Sequence, residues 1–231
     1  MRWRARRAMQ MTDARNDILA RLRSSPTATL SLPDIPVRRF DWDAAQRLQH
    51  FQQRMQASHT EVYQVDNNWP GKLAELLRDR GMTNLRYGAQ GPLARELTGG
   101  WPTWGARLIA DQAPIEQQRD ALFGATDAGF TSCRAGIAET GSLVLWPTPA
   151  EPRLLSLVPP VHCVLLEAGQ IVSTLHELMH LEHWHAGMPT NALLISGPSK
   201  SADIEQTLAY GVHGPAQLLV LIRTPGSAGN A

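Results

Sequence analysis

Short apolar runs alternate with stretches of helical period along most of this chain, and that alternation narrows the fold more than any other feature. Residues 61–65 read as a strand, 69–80 as a helix closed by Gly81, and 84–87 as the next strand, a β-α-β order. Residues 107–110 continue as a strand and 115–123 as a helix, while 124–132 read either way. Farther on come strands at 154–158, 161–166, 192–195 and 218–222, and helices at 172–184 and 201–209. A helix over 41–57 precedes them, with Trp42, Leu48, Phe51 and Met55 toward one side. Such an order predicts an α/β fold, with a mostly parallel sheet and helices on both faces.

The 231 residues suit one domain with a small appendage. Residues 13–22 carry Ala14, Ile18, Leu19 and Leu22 at helical spacing, and a Pro/Ser/Thr-rich stretch follows from Pro26 to Pro36. Residues 1–35 are therefore expected to form an N-terminal helical arm and linker, 36–224 the domain, and 225–231 a Gly/Ser tail that frays. Met11 is a second candidate start, in which case residues 1–10 lie outside the native protein. Basic residues follow Met1 without an apolar core behind them, so secretion is not expected.

Lys plus Arg (22) nearly balances Asp plus Glu (21), which argues against a polyanion-binding surface and hence against nucleic acid. Cys133 and Cys163 stand apart, so neither a disulfide framework nor an iron–sulfur cluster is expected, and a reducing, cytoplasmic setting fits. No apolar run reaches the ~18 to 20 residues of a membrane span.

Two Gly-containing turns carry most of the polar chemistry. Residues 196–205 follow an apolar run and read as strand, tight loop and helix, a geometry that aims backbone N–H groups and a helix dipole at a carboxylate or phosphate. Lys200 adds a full charge beside Ser199; an ordinary turn capped by Ser201 reads equally well. Asp203 and Glu205 lie two apart and face different directions, so one can bind a ligand while the other caps or pairs. His213 follows between Gly211 and Gly214, which free the backbone to approach a ligand.

The other turn is the tip of a hairpin over residues 135–146, at Glu139-Thr140-Gly141-Ser142. A carboxylate there, partly buried at a pocket rim, suits nucleophilic or acid–base work; a solvated turn glutamate is the plain alternative. Cys133 has no assigned base and reads better as a buried filler. His162, at the start of a buried strand after Pro159-Pro160, reads as a hydrogen-bonded structural residue or as one facing a site.

His176-Glu177-Leu178-Met179-His180 satisfies the His-Glu-x-x-His zinc-protease pattern. Glu182 and His185 lie on other faces of the helix, His183 does not close a tetrahedron, and Glu205 is the one downstream carboxylate in range. A solvated histidine-rich face is the preferred reading, with no metal assigned.

Three stretches together, 136–144, 159–162 and 196–205 with 211–215, resemble the signatures of the LUD domain family, within which the chain is most similar to the lactate-utilisation protein C branch. Residues 13–22 also resemble that family's opening helix. The resemblance implies a fold like that of the ribose-5-phosphate isomerase, glucosamine-phosphate deaminase and coenzyme A transferase group. It also implies a part in oxidising L-lactate to pyruvate beside iron–sulfur partner proteins, since this chain has no redox group of its own. The expected pocket for a small carboxylate joins Glu139 and His213, which would move a proton, to Thr140, Gly141, Ser142, His162, Ser199, Lys200, Asp203, Glu205 and Gly214 as ligand-binding positions. A non-catalytic assembly or regulatory module is the alternative. By fold analogy with the Glu-x-Gly turn of coenzyme A transferases, an acyl or coenzyme A ligand is a lesser one, as is a zinc metallopeptidase.

Overall fold

The computed structural model describes residues 14–24, 36–202 and 208–224. It divides into two compact units, residues 1–37 and 38–231. In the first, α1 (residues 14–24) is exposed almost throughout, Ile18 and Leu22 included. The expected linker at 26–35 and tail at 225–231 lie outside the described residues.

In the second unit a six-stranded sheet is parallel throughout. It is built from β1 (Glu61–Val65), β2 (Asn84–Gly88), β3 (Arg107–Asp111), β4 (Ala128–Ser132), β7 (Val161–Glu167) and β12 (Gln217–Arg223), in the order β1-β12-β7-β4-β2-β3. Helix α2 (Ala44–Ala57) precedes β1, and α3 (Trp69–Asp79), α4 (Ala94–Gly100) and α5 (Ile115–Gly124) connect the strands from β1 to β4. Asp43 caps α2 in a reciprocal box with Gln46, and Gly81 beyond α3 adopts the positive φ, +68°, that closes a helix.

Side chains alternate along β7 between two cores, which is why its run from Cys163 to Leu166 is apolar without a break. Cys163 and Leu165 join Trp69, Leu73, Leu77 and Phe130 on one face, and Val164 and Leu166 join Phe51, Met55 and Val220 on the other. That second face is covered by α2 and by a small sheet, β8-β5-β6-β9, made of β5 (Ala135–Ile137), β6 (Ser142–Leu145), β8 (Ile171–Val172) and β9 (Leu193–Ile195). Behind the small sheet, Leu178 and Trp184 pack on Ile137 and Val144.

Three sequence expectations are corrected. Residues 154–158 form a short helix, α6 (Leu154–Leu157), because Leu155 must turn into the core while its carbonyl rests on Gly129; a short apolar run cannot distinguish strand from helix. The helix expected at 172–184 is shorter: β8 occupies its start, Thr174 caps α7 (Leu175–Leu181), and His183 at φ +51° breaks the chain. In place of a helix at 201–209, β10 (Lys200–Ala202) pairs antiparallel with β11 (Leu208–Tyr210), the hairpin being held near the end of α2 by an edge contact of Tyr210 with His59 at 5.7 Å. No helix N-terminus stands at Ser201. Residues 203–207 lie outside the described residues. Residues 128–132, in the stretch that reads either way, form β4, and with the unexpected α4 they fill the remainder of the parallel array.

Candidate functional site

The hairpin expected at 135–146 is present, with Glu139 at its tip. Gly141 has φ +62°, and a Cβ there would lie 2.5 Å from the Arg54 Cβ, so only glycine lets the tip press against α2. Thr140 and Ser142 hydroxyls lie 2.7 Å apart, and Ser142 lies 2.7 Å from the hydroxyl of Ser196, a chain that ties the tip to the 196–199 loop. Ser199 donates its N–H to the Pro215 carbonyl and accepts from Gly211, and Gly214 packs on its side chain. The two turns predicted to share a site are thus neighbours.

The residues meant to act there are more open. Lys200, Thr140 and His213 are exposed, and Glu139 accepts from Arg38 at 3.2 Å, a guanidinium 79% exposed. Such a pair contributes little. Asp203 and Glu205 lie outside the described residues. His162 is buried, 2.9 Å from the Thr131 hydroxyl, with no partner for Nδ1 among the described residues. Burial takes its pKa down to about 3, so it is neutral at physiological pH and behaves as a structural residue.

A cavity elsewhere in the second unit is lined by none of the predicted positions among the described residues. That cavity, about 460 Å³, lies at the carboxyl ends of β4 and β7, where open α/β sheets receive ligands. Thr131, Ser132, Leu165 and Glu167 reach it from the strands, and the loop running from Trp146 to Arg153 forms another wall.

Glu151 is seated there with care. The Ser132 backbone N–H donates to both carboxylate oxygens at 3.2 and 3.3 Å, and the Ser132 hydroxyl donates to one of them. Two glycines make the room: a Cβ on Gly91 would lie 2.6 Å from Glu151 Oε1, and one on Gly88 would lie 2.2 Å from the Ala150 carbonyl oxygen. Burial raises the Glu151 pKa, although the Ser132 donors oppose that rise.

The charges around Glu151 are unequal in freedom. Arg134 is engaged, donating to Glu182 at 2.7 Å and lying over the Trp146 ring at 5.1 Å. Glu167 is bound by Arg223, which also reaches Glu96. Arg153 is exposed, and among the described residues its guanidinium has no hydrogen-bond or ion-pair partner. Among the described residues, the cavity therefore presents an uncommitted cation, Arg153, beside a half-committed carboxyl group, Glu151. Cys133 also lines it, but burial pushes its thiol up to about 12 and the thiol donates to the Ala135 carbonyl, the behaviour of a filler.

Sequence reasoning missed Ser132, Glu151 and Arg153. The available signal was a lone glutamate between Ala150 and Pro152 in a proline-rich loop, together with Gly88 and Gly91, whose purpose shows only in three dimensions.

His176, His180, His183 and His185 are exposed, as the solvated-face reading expects. Glu177 turns back to accept from the Ser173 N–H at 2.8 Å while its own N–H is held by Thr174, so the glutamate of the protease pattern closes its own helix. Among the described residues no three His, Cys, Asp or Glu side chains converge as metal ligands, and no helix is long and apolar enough to cross a membrane.

Comparison with known proteins agrees with this architecture. The chain is 37% identical to an uncharacterized protein of Neisseria meningitidis over 227 residues, 92% of this chain and 94% of that one. It is 29% identical to lactate utilization protein C of Deinococcus radiodurans, over 66% of this chain and 68% of the relative. Among solved structures, a DUF162 family protein from Deinococcus radiodurans superposes with a TM-score of 0.59 at 25% identity, covering 79% of this chain and 99% of its own. The LUD domain model matches residues 48–222, from within α2 to the penultimate residue of β12, and the chain belongs to the LUD domain family.

Proposed function

We propose that this chain takes part in lactate utilisation in the cytoplasm, as a subunit acting with iron–sulfur partner proteins, and that it holds a small carboxylate in the cavity at the ends of β4 and β7. Its relatives named lactate utilization protein C support the role. The observation that carries the site is the presence, in one cavity, of a guanidinium at Arg153, unpaired among the described residues, and a carboxyl group at Glu151. Arg153 takes the ligand carboxylate, and Glu151, steadied by Ser132, hydrogen-bonds the neighbouring hydroxyl or keto oxygen. Cys133 and Cys163 are both buried, and among the described residues neither converges with other metal-ligating side chains, so the reading assigns electron transfer to the partners.

Lactate-dependent dye reduction tests this, first with the chain alone and then with the cluster-bearing partners. Activity is expected only in the mixture and is expected to fall at least tenfold with Arg153→Ala. Reduction by the isolated chain would contradict the subunit reading.

A second reading, an assembly or regulatory module, draws on the openness of the paired turns. The Glu139 side chain pairs with an exposed arginine, and Lys200 and His213 face solvent, an arrangement suited to docking a partner. Full activity with Arg153→Ala, combined with loss of partner co-purification on Glu139→Ala or His213→Ala, would favour it.

A further inference from the structure

The cavity is much larger than a three-carbon acid needs. At about 30 Å³ per water molecule, an acid of about six non-hydrogen atoms displaces only a handful of waters and leaves most of the 460 Å³ wet. Ligand cavities of this size ordinarily enclose molecules several times larger and bury most of their surface.

The lining also combines polar and apolar surface. Ser132, Glu151 and Arg153 supply the polar groups that fix a carboxylate and its neighbouring oxygen, whereas Pro92, Leu93, Leu145, Trp146, Pro147 and Leu165 supply apolar surface. Trp146 cannot swing aside freely, since it meets Trp184 edge-on at 5.4 Å and carries Arg134 over its ring. A site serving lactate alone gains nothing from such a wall, because a methyl group covers little of it.

We infer that the substrate class of this site extends beyond lactate to 2-hydroxy and 2-oxo acids bearing a bulky apolar group, aryl ones above all. Their acid end meets Arg153 and Glu151, and the apolar body displaces water from the wall formed by Leu93 and Trp146. This inference rests on the reading of the cavity as the carboxylate site.

Calorimetric titration of the full chain with lactate and with 3-phenyllactate compares two ligands with the same 2-hydroxy acid end. Burial of the ring is expected to make 3-phenyllactate bind about tenfold more tightly or better. Filling the apolar part of the cavity with Leu93→Trp is expected to remove that advantage, so that the two acids bind about equally. Because Leu93 caps α4, Pro147→Trp, at a half-buried loop position beside Trp146 on the cavity wall, is a second filler that spares the helix. Equal or tighter binding of lactate by the wild type overturns the inference while leaving the carboxylate site intact, and so does an aryl advantage that survives both fillers. Binding of neither acid overturns the carboxylate site together with it.

Discussion

Ser132, the last residue of β4, gives both its backbone N–H and its hydroxyl to the carboxylate of Glu151, nineteen positions later in the chain. The pairing fastens the proline-rich loop to the end of the central sheet and fixes a carboxyl group on the cavity wall. Truncation by Glu151→Ala would leave the Ser132 N–H without its acceptor, a loss on the order of 1 to 3 kcal/mol, read from the urea midpoint at constant slope.

The same residue has a pH signature. Its folded pKa is raised above the ordinary 4.5, so the folded chain holds a proton there that the unfolded chain has released. The stability it contributes is therefore complete below pH 4.5 and is lost as pH rises through the folded value. Glu151→Gln removes this dependence, and unfolding of the two proteins across that range should show the wild type losing ground to the variant as pH increases.

Gly88 and Gly91 exist to admit that loop. With Gly88→Ala the new methyl meets a backbone oxygen at 2.2 Å, which cannot rotate away, whereas with Gly91→Ala it meets a side-chain oxygen at 2.6 Å. Gly88→Ala is expected to cost about 1 to 3 kcal/mol and Gly91→Ala less, with carboxylate binding weakened in both because Glu151 is displaced. Unchanged affinity in Gly91→Ala would separate Glu151 from the ligand.

His162 acts in the opposite sense. Its folded pKa, taken down to about 3 by burial, lies below the ordinary 6.5, so the stability it contributes is complete above pH 6.5 and is lost as pH falls toward 3. The loss should approach about 1.4 kcal/mol per pH unit within that window. Replacement by glutamine should flatten that part of the stability profile; an unchanged slope would show that His162 is protonated in the folded state.

Both thiols are buried and pushed up to about 12, Cys133 despite its place on the cavity wall. Neither should react quickly with a disulfide reagent at neutral pH, and both should react once the chain is unfolded in guanidinium. A fast-reacting Cys133 in the native protein would restore it as a candidate nucleophile.

Much of the fold was legible because its strands are short and apolar and its helices carry period and caps. The β1-α3-β2 unit, the hairpin with Glu139 at its tip, and β7 and β12 follow directly from those patterns. Leu154-Leu155-Ser156-Leu157 fits either element because it is a short apolar-rich run, and the pairing of β10 with β11 shows only in three dimensions, where Tyr210 meets His59 from the end of α2. The site was less legible for a related reason. The turns at Glu139 and Ser199 announce themselves by glycine and charge, and they do meet through Thr140, Ser142 and Ser196. The cavity instead joins residues from the ends of β4 and β7 to a loop, and Glu151 carries no local mark of its burial.

The central claim, that the carboxylate site is the cavity bearing Glu151 and Arg153, is tested most directly by amide chemical-shift mapping of the 25.5 kDa chain during titration with pyruvate. The claim predicts shifts centred on Ser132, Arg134, Thr148 and Gln170, all on the cavity wall, and their loss with Arg153→Ala. Shifts centred on Gly141, Ser199 and Gly214, with the cavity amides unmoved, would contradict it.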